Sequence, residues 1–258
     1  MLTGASSGIG RATATAVARR GGTVHLLARR EWLLDEVRRE ICAQGGTAYS
    51  HVVDVCDEAA LQAIARRVHD QSGAIDVLIN NAGVGPLKSF MDTSNEDWDW
   101  TFQTNLKAIV FGVRAFLPHM LERGRGTIVN VASLAGLIGN PLAAYSASKF
   151  AVVGLSESLL IEYGARGINV VVVCPGVVDT EIAEAAARVG RSDPTINARM
   201  REFMGRFGVA PSQVAEDIVR AVEKPRFLVL SPRHASVLRR LHRMFPGPMR
   251  RAFRQFTE

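Results

Sequence analysis

Short apolar runs alternate along this chain with longer stretches in which apolar residues recur at helical spacing. The runs predict buried parallel strands at residues 23–28, 50–55, 75–79, 127–133, 168–176 and 227–230. The helical spacing is clearest at residues 98–121 and 211–223. No linker-like, low-complexity or repeated segment interrupts the alternation. This order predicts an α/β fold, with one doubly wound parallel sheet and helices on both of its faces.

The composition is consistent with one globular domain and indicates neither a disulfide framework nor a metal site. The chain has 258 residues, 47% of them apolar, which is ample for a large core. It has no secretory signal at its amino end and no uncharged apolar run near roughly 18 residues, so a cytoplasmic location is expected. Cys42, Cys56 and Cys174 are far apart in the sequence, so buried free thiols are expected. The six histidines show neither H-x3-H nor H-E-x-x-H spacing, so the prediction for metal sites is none.

Positive charge is concentrated near the carboxyl end. Residues 225–258 carry eight arginines and one glutamate, whereas the whole chain has a net charge of +6. Two apolar helical stripes lie in this segment, the first at Val237, Leu238, Leu241, Met244 and Phe245, and the second at Met249, Ala252, Phe253 and Phe256. Such a basic amphipathic segment can lie on an anionic membrane surface. We favour packing on its own subunit or across an oligomer interface, and we expect no nucleic-acid binding because no recognition motif accompanies the charge.

A glycine-rich turn opens the chain, with the sequence TGASSGIG at residues 3–10 followed by an alanine-rich helical stretch. Glycines at a strand-to-helix junction let the backbone approach a pyrophosphate, whose charge is met by the helix N-terminus. The spacing G-x3-G-x-G differs from the common G-x-G-x-x-G pattern. The turn therefore supports a dinucleotide site without establishing one.

Ser133, Tyr145 and Lys149 form the pattern S-x11-Y-x3-K. A tyrosine and a lysine four residues apart on a helix share one face, which places an ammonium beside a phenol. The positive charge favours the phenolate, so Tyr145 is expected to exchange a proton near neutral pH, at an alcohol or a ketone. Y-x3-K also arises by chance, in which case Tyr145 is a half-buried aromatic residue and Lys149 a solvated cation.

Five separated motifs, taken in order, resemble those of the short-chain dehydrogenase/reductase family. They are TGASSGIG at 3–10, NNAG at 80–83, Asn105, Ser133 with YSASK at 145–149, and PGVVDT at 175–180. The resemblance implies a Rossmann-fold dinucleotide-binding and catalytic domain over residues 1–230, with a lid at about 180–208. Residues 231–258 then form a basic amphipathic extension. Family members have a full first strand before the T-G motif, so the first strand is expected to be truncated here and the natural protein to begin upstream.

The resemblance implies a catalytic set of Asn105, Ser133, Tyr145 and Lys149. In it, Ser133 and Tyr145 meet the substrate oxygen, and Lys149 lowers the pKa of the tyrosine and binds the nicotinamide ribose. Asn105, otherwise a tolerated surface residue of a helix, is implied to hold a water that links Lys149 to solvent.

The same resemblance implies a cofactor cleft. Asp54 is implied to meet the adenine amino group, Thr180 the nicotinamide carboxamide, and residues 80–83 the ribose. The implied cofactor-binding residues are Thr3, Gly4, Ser6, Ser7, Gly8, Ile9, Gly10, Arg29, Asp54, Val55, Asn81, Ala82, Gly83, Tyr145, Lys149, Pro175, Gly176, Val178 and Thr180.

The end of the second predicted strand bears on cofactor choice. NAD-preferring sites place a carboxylate there, whereas NADP sites need a cation for the 2′-phosphate. Here Ala28 stands at the carboxylate position and Arg29 follows it. NADP(H) is therefore favoured over NAD(H), with Arg29 on the 2′-phosphate and Arg30 simply starting the next helix.

The expected activity is an NADP(H)-dependent interconversion of a carbonyl and an alcohol. Mostly apolar walls at residues 84–90 and 134–142 suggest a lipophilic small-molecule substrate. An enoyl reductase is disfavoured because such enzymes resemble Y-x6-K. The alternatives are a cofactor-binding sensor and a membrane-surface scaffold with the same fold. Relatives are commonly homodimers or homotetramers, and the basic tail would allow a cytoplasmic protein to contact a membrane surface.

Overall fold

The computed structural model describes residues 1–232, 235–248 and 251. The strands are β1 (Leu2–Thr3), β2 (Thr23–Ala28), β3 (Thr47–Val52), β4 (Val77–Asn80), β5 (Gly126–Val131), β6 (Ile168–Pro175) and β7 (Leu228–Ser231). They form one sheet in the order β3-β2-β1-β4-β5-β6-β7, and every pairing is parallel. The order reverses between β1 and β4, which confirms the predicted doubly wound fold.

Helices connect the strands. They are α1 (Gly8–Ala18), α2 (Glu31–Ala43), α3 (Glu58–Ser72), α4 (Asn95–Phe102), α5 (Ala108–Glu122), α6 (Ala143–Tyr163), α7 (Ile182–Arg188), α8 (Pro194–Phe207), α9 (Pro211–Glu223) and α10 (Ala235–Met244). A π-helical turn, Gln103–Lys107, separates α4 from α5. The helical segment predicted over residues 98–121 is thus present, and the turn that contains Asn105 divides it into two helices.

Alternating strand residues supply two apolar cores, one on each face of the sheet. Leu26 and Ile79 belong to the core that α1, α2 and α9 cover. Leu27 and Leu78 belong to the core that α3, α5 and α6 cover. Because successive side chains of a strand point to opposite faces, the continuous apolar runs of the sequence fill both cores at once.

The first strand has only two residues, in agreement with the sequence expectation, yet it occupies the centre of the sheet. Leu2 lies opposite both Leu26 of β2 and Ile79 of β4. The backbone N–H of Ile79 donates to the carbonyl oxygen of Met1 at 2.8 Å. The end of β1 therefore stands beside the ends of β2 and β4, which is where the glycine-rich turn begins.

Two local expectations are wrong. The third strand ends at Val52 instead of residue 55, because the Asp54 carboxylate accepts the Cys56 backbone N–H at 3.0 Å and turns the chain. Buried thiols were expected throughout, but Cys42 is exposed and only Cys174 is fully buried.

The amphipathic helix α10 keeps most of its apolar stripe in solvent. Val237 is 53% exposed and Met244 is 62% exposed, whereas Leu238 is half-buried. The second predicted stripe, at Met249, Ala252, Phe253 and Phe256, lies outside the described residues. Among the helices that the structure describes, none is both long and apolar enough to cross a membrane.

Candidate active site

The end of β5 and the first turns of α6 bring Ser133, Tyr145 and Lys149 together. Ser133 begins a short 3-10 turn, Leu134–Gly136, and its Oγ accepts the Ala135 backbone N–H at 3.1 Å. The Nζ atom of Lys149 donates to the carbonyl oxygen of Val131 at 3.0 Å and lies 5.7 Å from the centre of the Tyr145 ring. The solvated-lysine alternative is wrong, since Lys149 is only 4% exposed.

Burial controls the protonation of this pair. It lowers the pKa of Lys149 to about 8. Burial raises the pKa of the Tyr145 phenol above its usual value, and the adjacent Ser133 hydroxyl opposes part of that rise. The expected lowering of the tyrosine pKa is therefore not found in the chain by itself, because desolvation is the largest cause of the shift. Near neutral pH the phenol keeps its proton.

Glycines let the backbone approach the two catalytic candidates closely. A Cβ at Gly83 would lie 3.3 Å from Lys149 Nζ, and one at Gly85 would lie 2.8 Å from the Tyr145 ring. A Cβ at Gly136 would lie 2.5 Å from the Lys149 carbonyl oxygen. Sequence reasoning identified Gly83 but missed Gly85 and Gly136, because their role is a packing distance that no spacing reveals.

Asn105 lies in the π-helical turn and is fully buried, so the surface alternative for it is wrong. Its Oδ1 accepts the Val84 backbone N–H at 2.8 Å, and its Nδ2 donates to the Val84 carbonyl oxygen at 2.8 Å. Nδ2 also donates to Ser148 Oγ at 2.9 Å. The side chain thus joins the segment after β4 to the catalytic helix α6. Sequence reasoning missed Val84 and Ser148.

Thr3 and Asn81 tie the glycine-rich turn to the end of β4. Thr3 Oγ1 accepts the backbone N–H groups of Asn81, at 2.9 Å, and Ala82, at 3.1 Å. The Asn81 side chain donates back to the carbonyl oxygens of Thr3 and Gly4, at 3.0 and 3.3 Å. Asn80 behaves differently from expectation, because it is buried below the cleft and donates to Asn130 Oδ1 at 2.9 Å.

The glycine-rich turn fits a pyrophosphate. Gly4 and Gly8 have positive φ angles of 67° and 52°, a region that favours glycine. A Cβ at Gly10 would lie 2.0 Å from the Gly4 carbonyl oxygen. The turn leads directly into the N-terminus of α1, whose first turn has no acidic residue. The backbone of the turn is therefore accessible, and the N-terminus of α1 carries partial positive charge. These are the two features that bind a phosphate at a helix N-terminus.

A cleft of about 460 Å³ runs from this turn toward the ends of β2 and β3. Arg29 is 3.6 Å from the Asp54 carboxylate at its rim. Arg30, expected only to begin a helix, does cap α2, but its Nη2 also donates to Ser7 Oγ at 2.9 Å and Ser6 Oγ at 3.3 Å. Arg188 also lines the cleft, so three arginines among the described residues border it where sequence reasoning assigned one.

Most of the remaining candidate residues line this cleft or the cavity beside Ser133 and Tyr145 that adjoins it. Thr180 lies close to Gly8, since a Cβ added at Gly8 would be 3.3 Å from Thr180 Cγ2. The other candidates lining them are Ile9, Val55, Ala82, Pro175, Gly176 and Val178.

A second cavity, of about 260 Å³, opens beside Ser133, Tyr145 and Lys149. Its outer lining is mainly apolar and comes from the two predicted walls, at residues 84–90 and 134–142, and from the predicted lid. The apolar side chains are Leu87, Leu142, Ile182, Met200, Phe203 and Met204. Phe90, at the end of the first predicted wall, is instead 62% exposed.

An ion cluster attaches the lid to the rest of this cavity. Asp97, at the start of α4, is 1% exposed and binds both Lys88 and Arg191. The backbone N–H of Leu87 donates to the Arg191 carbonyl oxygen at 3.0 Å, and that of Asp193 donates to the Leu87 carbonyl oxygen at 2.7 Å. The lid and the wall after β4 are thus held together by charge and by backbone pairing.

Comparisons with known proteins agree with this arrangement. The family model for short chain dehydrogenases matches residues 1–189. The chain is 37% identical over 256 residues to the probable oxidoreductase EphD of Mycobacterium tuberculosis, covering 96% of this chain and 43% of that protein. The chain therefore spans less than half the length of that relative.

Solved structures extend the likeness to cofactor complexes. A short chain dehydrogenase/reductase from Burkholderia phymatum in complex with NAD has a TM-score of 0.85 and 32% identity, covering 94% of this chain and 92% of that one. A metagenomic short-chain oxidoreductase in complex with NADP has a TM-score of 0.72 and 34% identity, covering 89% and 93%. The similar proteins thus include one complex with each nicotinamide cofactor.

Substitution of Gly136 by alanine tests the close packing around the catalytic helix. We expect Gly136→Ala to lower the free energy of unfolding by about 1–3 kcal/mol, because its Cβ would collide with the Lys149 backbone. Gly139→Ala is the matched control on the same wall, since no atom lies within 4 Å of its Cβ. Removing backbone freedom from the unfolded chain should leave that control unchanged or more stable by up to about 1 kcal/mol. Equal urea midpoints for the two variants would contradict the assignment.

Proposed function

The chain belongs to the short chain dehydrogenase family, and we propose that it is an NADP(H)-dependent oxidoreductase interconverting a carbonyl and an alcohol on a lipophilic substrate. One observation carries the proposal. The hydroxyl groups of Ser133 and Tyr145 and the buried Lys149 ammonium line one apolar cavity, which meets the glycine-rich cleft at Gly83 and Thr180.

The residues of the cleft fit a nicotinamide dinucleotide. The glycine-rich turn and the α1 N-terminus suit its pyrophosphate, and Asp54 and Val55 border the far end of the cleft, where adenine would lie. When bound, the cofactor supplies the hydride that the carbonyl carbon receives. Lys149 is proposed to hold the ribose, and Thr180 the carboxamide.

Protonation of the site favours the reductive direction. Because burial raises its pKa, the Tyr145 phenol stays protonated and is ready to donate to a carbonyl oxygen. Ser133 Oγ accepts from Ala135, so its own hydrogen is directed elsewhere and can donate to the same oxygen. Lys149, with a pKa of about 8, is mainly charged at neutral pH and stabilises the phenolate left behind.

Restoring the phenol requires a proton path, and we propose that it runs from Lys149 through water held near Asn105. A Cβ at Gly83 would lie 3.3 Å from Lys149 Nζ and 3.4 Å from Asn105 Oδ1, so both groups border the same small space. The buried side chain of Asn105 is already bonded to Val84 and Ser148, so it also holds this space open.

The lining of the cavity supports a lipophilic substrate. Leu87 and Leu142 on one side face Ile182, Met200 and Phe203 of the lid. These side chains offer no charged partner to a substrate, so the specific contacts with substrate would come from Ser133 and Tyr145. A steroid, retinoid, fatty or aromatic ketone has this distribution of polarity.

Replacement of Tyr145 by phenylalanine tests the catalytic assignment. We expect Tyr145→Phe to retain NADPH binding and to lose at least about 100-fold in turnover, the scale of general acid catalysis. NADPH oxidation is followed optically against a panel of lipophilic ketones and aldehydes, and NADPH binding by calorimetry.

Tyr163→Phe is the control, because Tyr163 ends the same helix and lies outside the residues that line the cavity. Undiminished turnover of Tyr145→Phe would overturn the catalytic role. NADPH binding without turnover of any carbonyl by the parent protein would favour the cofactor-binding sensor.

Cofactor preference is proposed to rest on Arg29 and Arg30. Both border the cleft, where Arg30 donates to Ser6 and Ser7 and Arg29 lies 3.6 Å from Asp54, and no carboxylate stands at residue 28. A guanidinium pairs well with a phosphate dianion and gains nothing from a ribose hydroxyl of NADH.

We therefore expect Arg29→Ala and Arg30→Ala each to raise the KM for NADPH by about tenfold or more, the scale of a charge-assisted hydrogen bond. The KM for NADH should change much less. Arg39→Ala, an exposed arginine on α2 that does not line the cleft, is the control. An unchanged ratio of the two KM values in both variants would overturn the proposed NADP preference.

Residues 1–230 are proposed to form the catalytic domain and 231–258 an extension. Exposed Phe150 and Ile161 on α6, at 46% and 78%, support a homodimer or homotetramer built on that helix. The exposed stripe of α10, with Leu241 at 39%, and the adjoining Phe245, at 55%, support the second candidate function, contact with an anionic membrane surface.

Vesicle flotation tests the membrane contact. We expect the protein to float with vesicles containing phosphatidylserine and to stay behind with neutral vesicles, because the extension is basic. Leu241→Glu should abolish flotation, whereas Trp32→Glu, at an exposed position of α2, should leave it intact. Equal behaviour of the parent and Leu241→Glu would assign the stripe to an oligomer interface.

A further inference from the structure

Two histidines and a glutamate meet where α3 and α5 end, on the face of the sheet that these helices cover. His69 lies in the last turn of α3, and His119 and Glu122 lie in the last turn of α5. One ring nitrogen of each histidine and a carboxylate oxygen of Glu122 all lie within 4.8 Å of one another. The residues are distant in sequence, so only the packing of the two helices brings them together.

One nitrogen of each histidine in this cluster lacks a hydrogen bond. The Nδ1 atoms of both His69 and His119 are shielded from solvent and have no hydrogen-bond partner among the described residues. The nearest charged atom to His119 Nδ1 is Glu122 Oε2, at 3.6 Å, which is beyond hydrogen-bond reach. Buried polar atoms are normally paired, so two adjacent exceptions call for a ligand that both can bind.

We propose that His69, His119 and Glu122 form a binding site for a divalent transition-metal ion of the zinc class. Two imidazole nitrogens with one carboxylate are ligands that Zn²⁺ accepts, whereas Mg²⁺ and Ca²⁺ prefer oxygen alone. The carboxyl ends of two helices also carry partial negative charge, which favours a cation at this position.

Only a small adjustment of these three side chains is required for them to bind one metal ion. The imidazole rings are stacked, with centroids 3.9 Å apart and planes 15° from parallel. Ligand atoms of a tetrahedral zinc site lie about 3.4 Å apart, given metal–ligand bonds of about 2.1 Å. The rings must therefore turn out of their stack to aim both lone pairs at one ion, and the exposed Glu122 side chain is free to follow.

The neighbouring guanidinium of Arg123 does not strongly oppose binding of a metal ion. Arg123 follows Glu122, but its guanidinium already pairs with the Asp76 carboxylate at 3.0 Å. It also donates to the carbonyl oxygens of Ala74 and Ile75. Its charge is thus engaged on the turn between α3 and β4. A bound ion would join the ends of α3 and α5 and so fix that turn from the other side.

Zinc titration of the full-length protein, freed of metal with a chelator, tests the site. The protein would carry Cys42→Ser, because Cys42 is an exposed thiol that could bind zinc by itself. We expect one saturable Zn²⁺ per chain by calorimetry and a rise in Tm on saturation. His69→Gln and His119→Gln should each weaken binding at least tenfold and lose the Tm rise, and Glu122→Gln should weaken it less.

The matched control is His25→Gln. His25 and His51 also form a stacked pair, but their ring nitrogens already contact each other at 3.0 Å, and Arg67 contacts His51 at 3.1 Å. His25→Gln should therefore bind zinc like the parent. Absence of saturable binding, or equal binding by the parent and the two histidine variants, would overturn the proposal. Glu122 is exposed, so Glu122→Gln keeps the test valid if a histidine variant fails to fold.

Discussion

A single buried ammonium, that of Lys149, organises the candidate active site. Its hydrogen bond to the Val131 carbonyl oxygen ties α6 to the end of β5. Burying such a charge is costly, and the lowered pKa of Lys149 shows that part of this cost remains. Gly83 and Gly136 allow backbone to approach this residue where a Cβ would collide. The Tyr145 ring and the Gly83 backbone, which also borders Asn105, both lie against this residue.

The site draws polar groups both from the ends of neighbouring strands and from α6, which carries Tyr145 and Lys149, and its apolar groups come from other segments. Ser133 follows β5, Asn81 follows β4 and Thr180 follows β6, so the sheet itself fixes their separation. The lid and the wall after β4 supply the cavity lining, and Asp97 joins them by charge. The candidate catalytic groups are thus held by the sheet ends and α6, whereas the cavity lining comes largely from connecting segments, where binding residues are commonly found.

The sequence was sufficient to predict the fold class and the main candidate residues, because each depends on local periodicity or fixed spacing. Tyr145 and Lys149 share a helix face by spacing alone, and the buried strands follow from continuous apolar runs. It could not predict the raised pKa of Tyr145, since that depends on how deeply the phenol is buried. Nor could it predict the Arg30 contact with Ser7, which depends on a side-chain direction at the start of α2. Gly85 and Gly136 escaped notice because their role is defined only by close approach in three dimensions.

The attachment of the lid to the wall after β4 has a kinetic consequence. Arg191 and Leu87 are linked by backbone hydrogen bonding, and Asp97 binds side chains from both segments. Asp97 belongs to α4, which continues through the π-helical turn to Asn105, and Asn105 in turn holds Val84. The lid, the wall and this turn therefore form a closed loop of contacts. Moving residues 180–208 away from the wall would break the Leu87–Arg191 backbone hydrogen bond and the Asp97–Arg191 ion pair together, which raises the barrier to opening this side of the cavity.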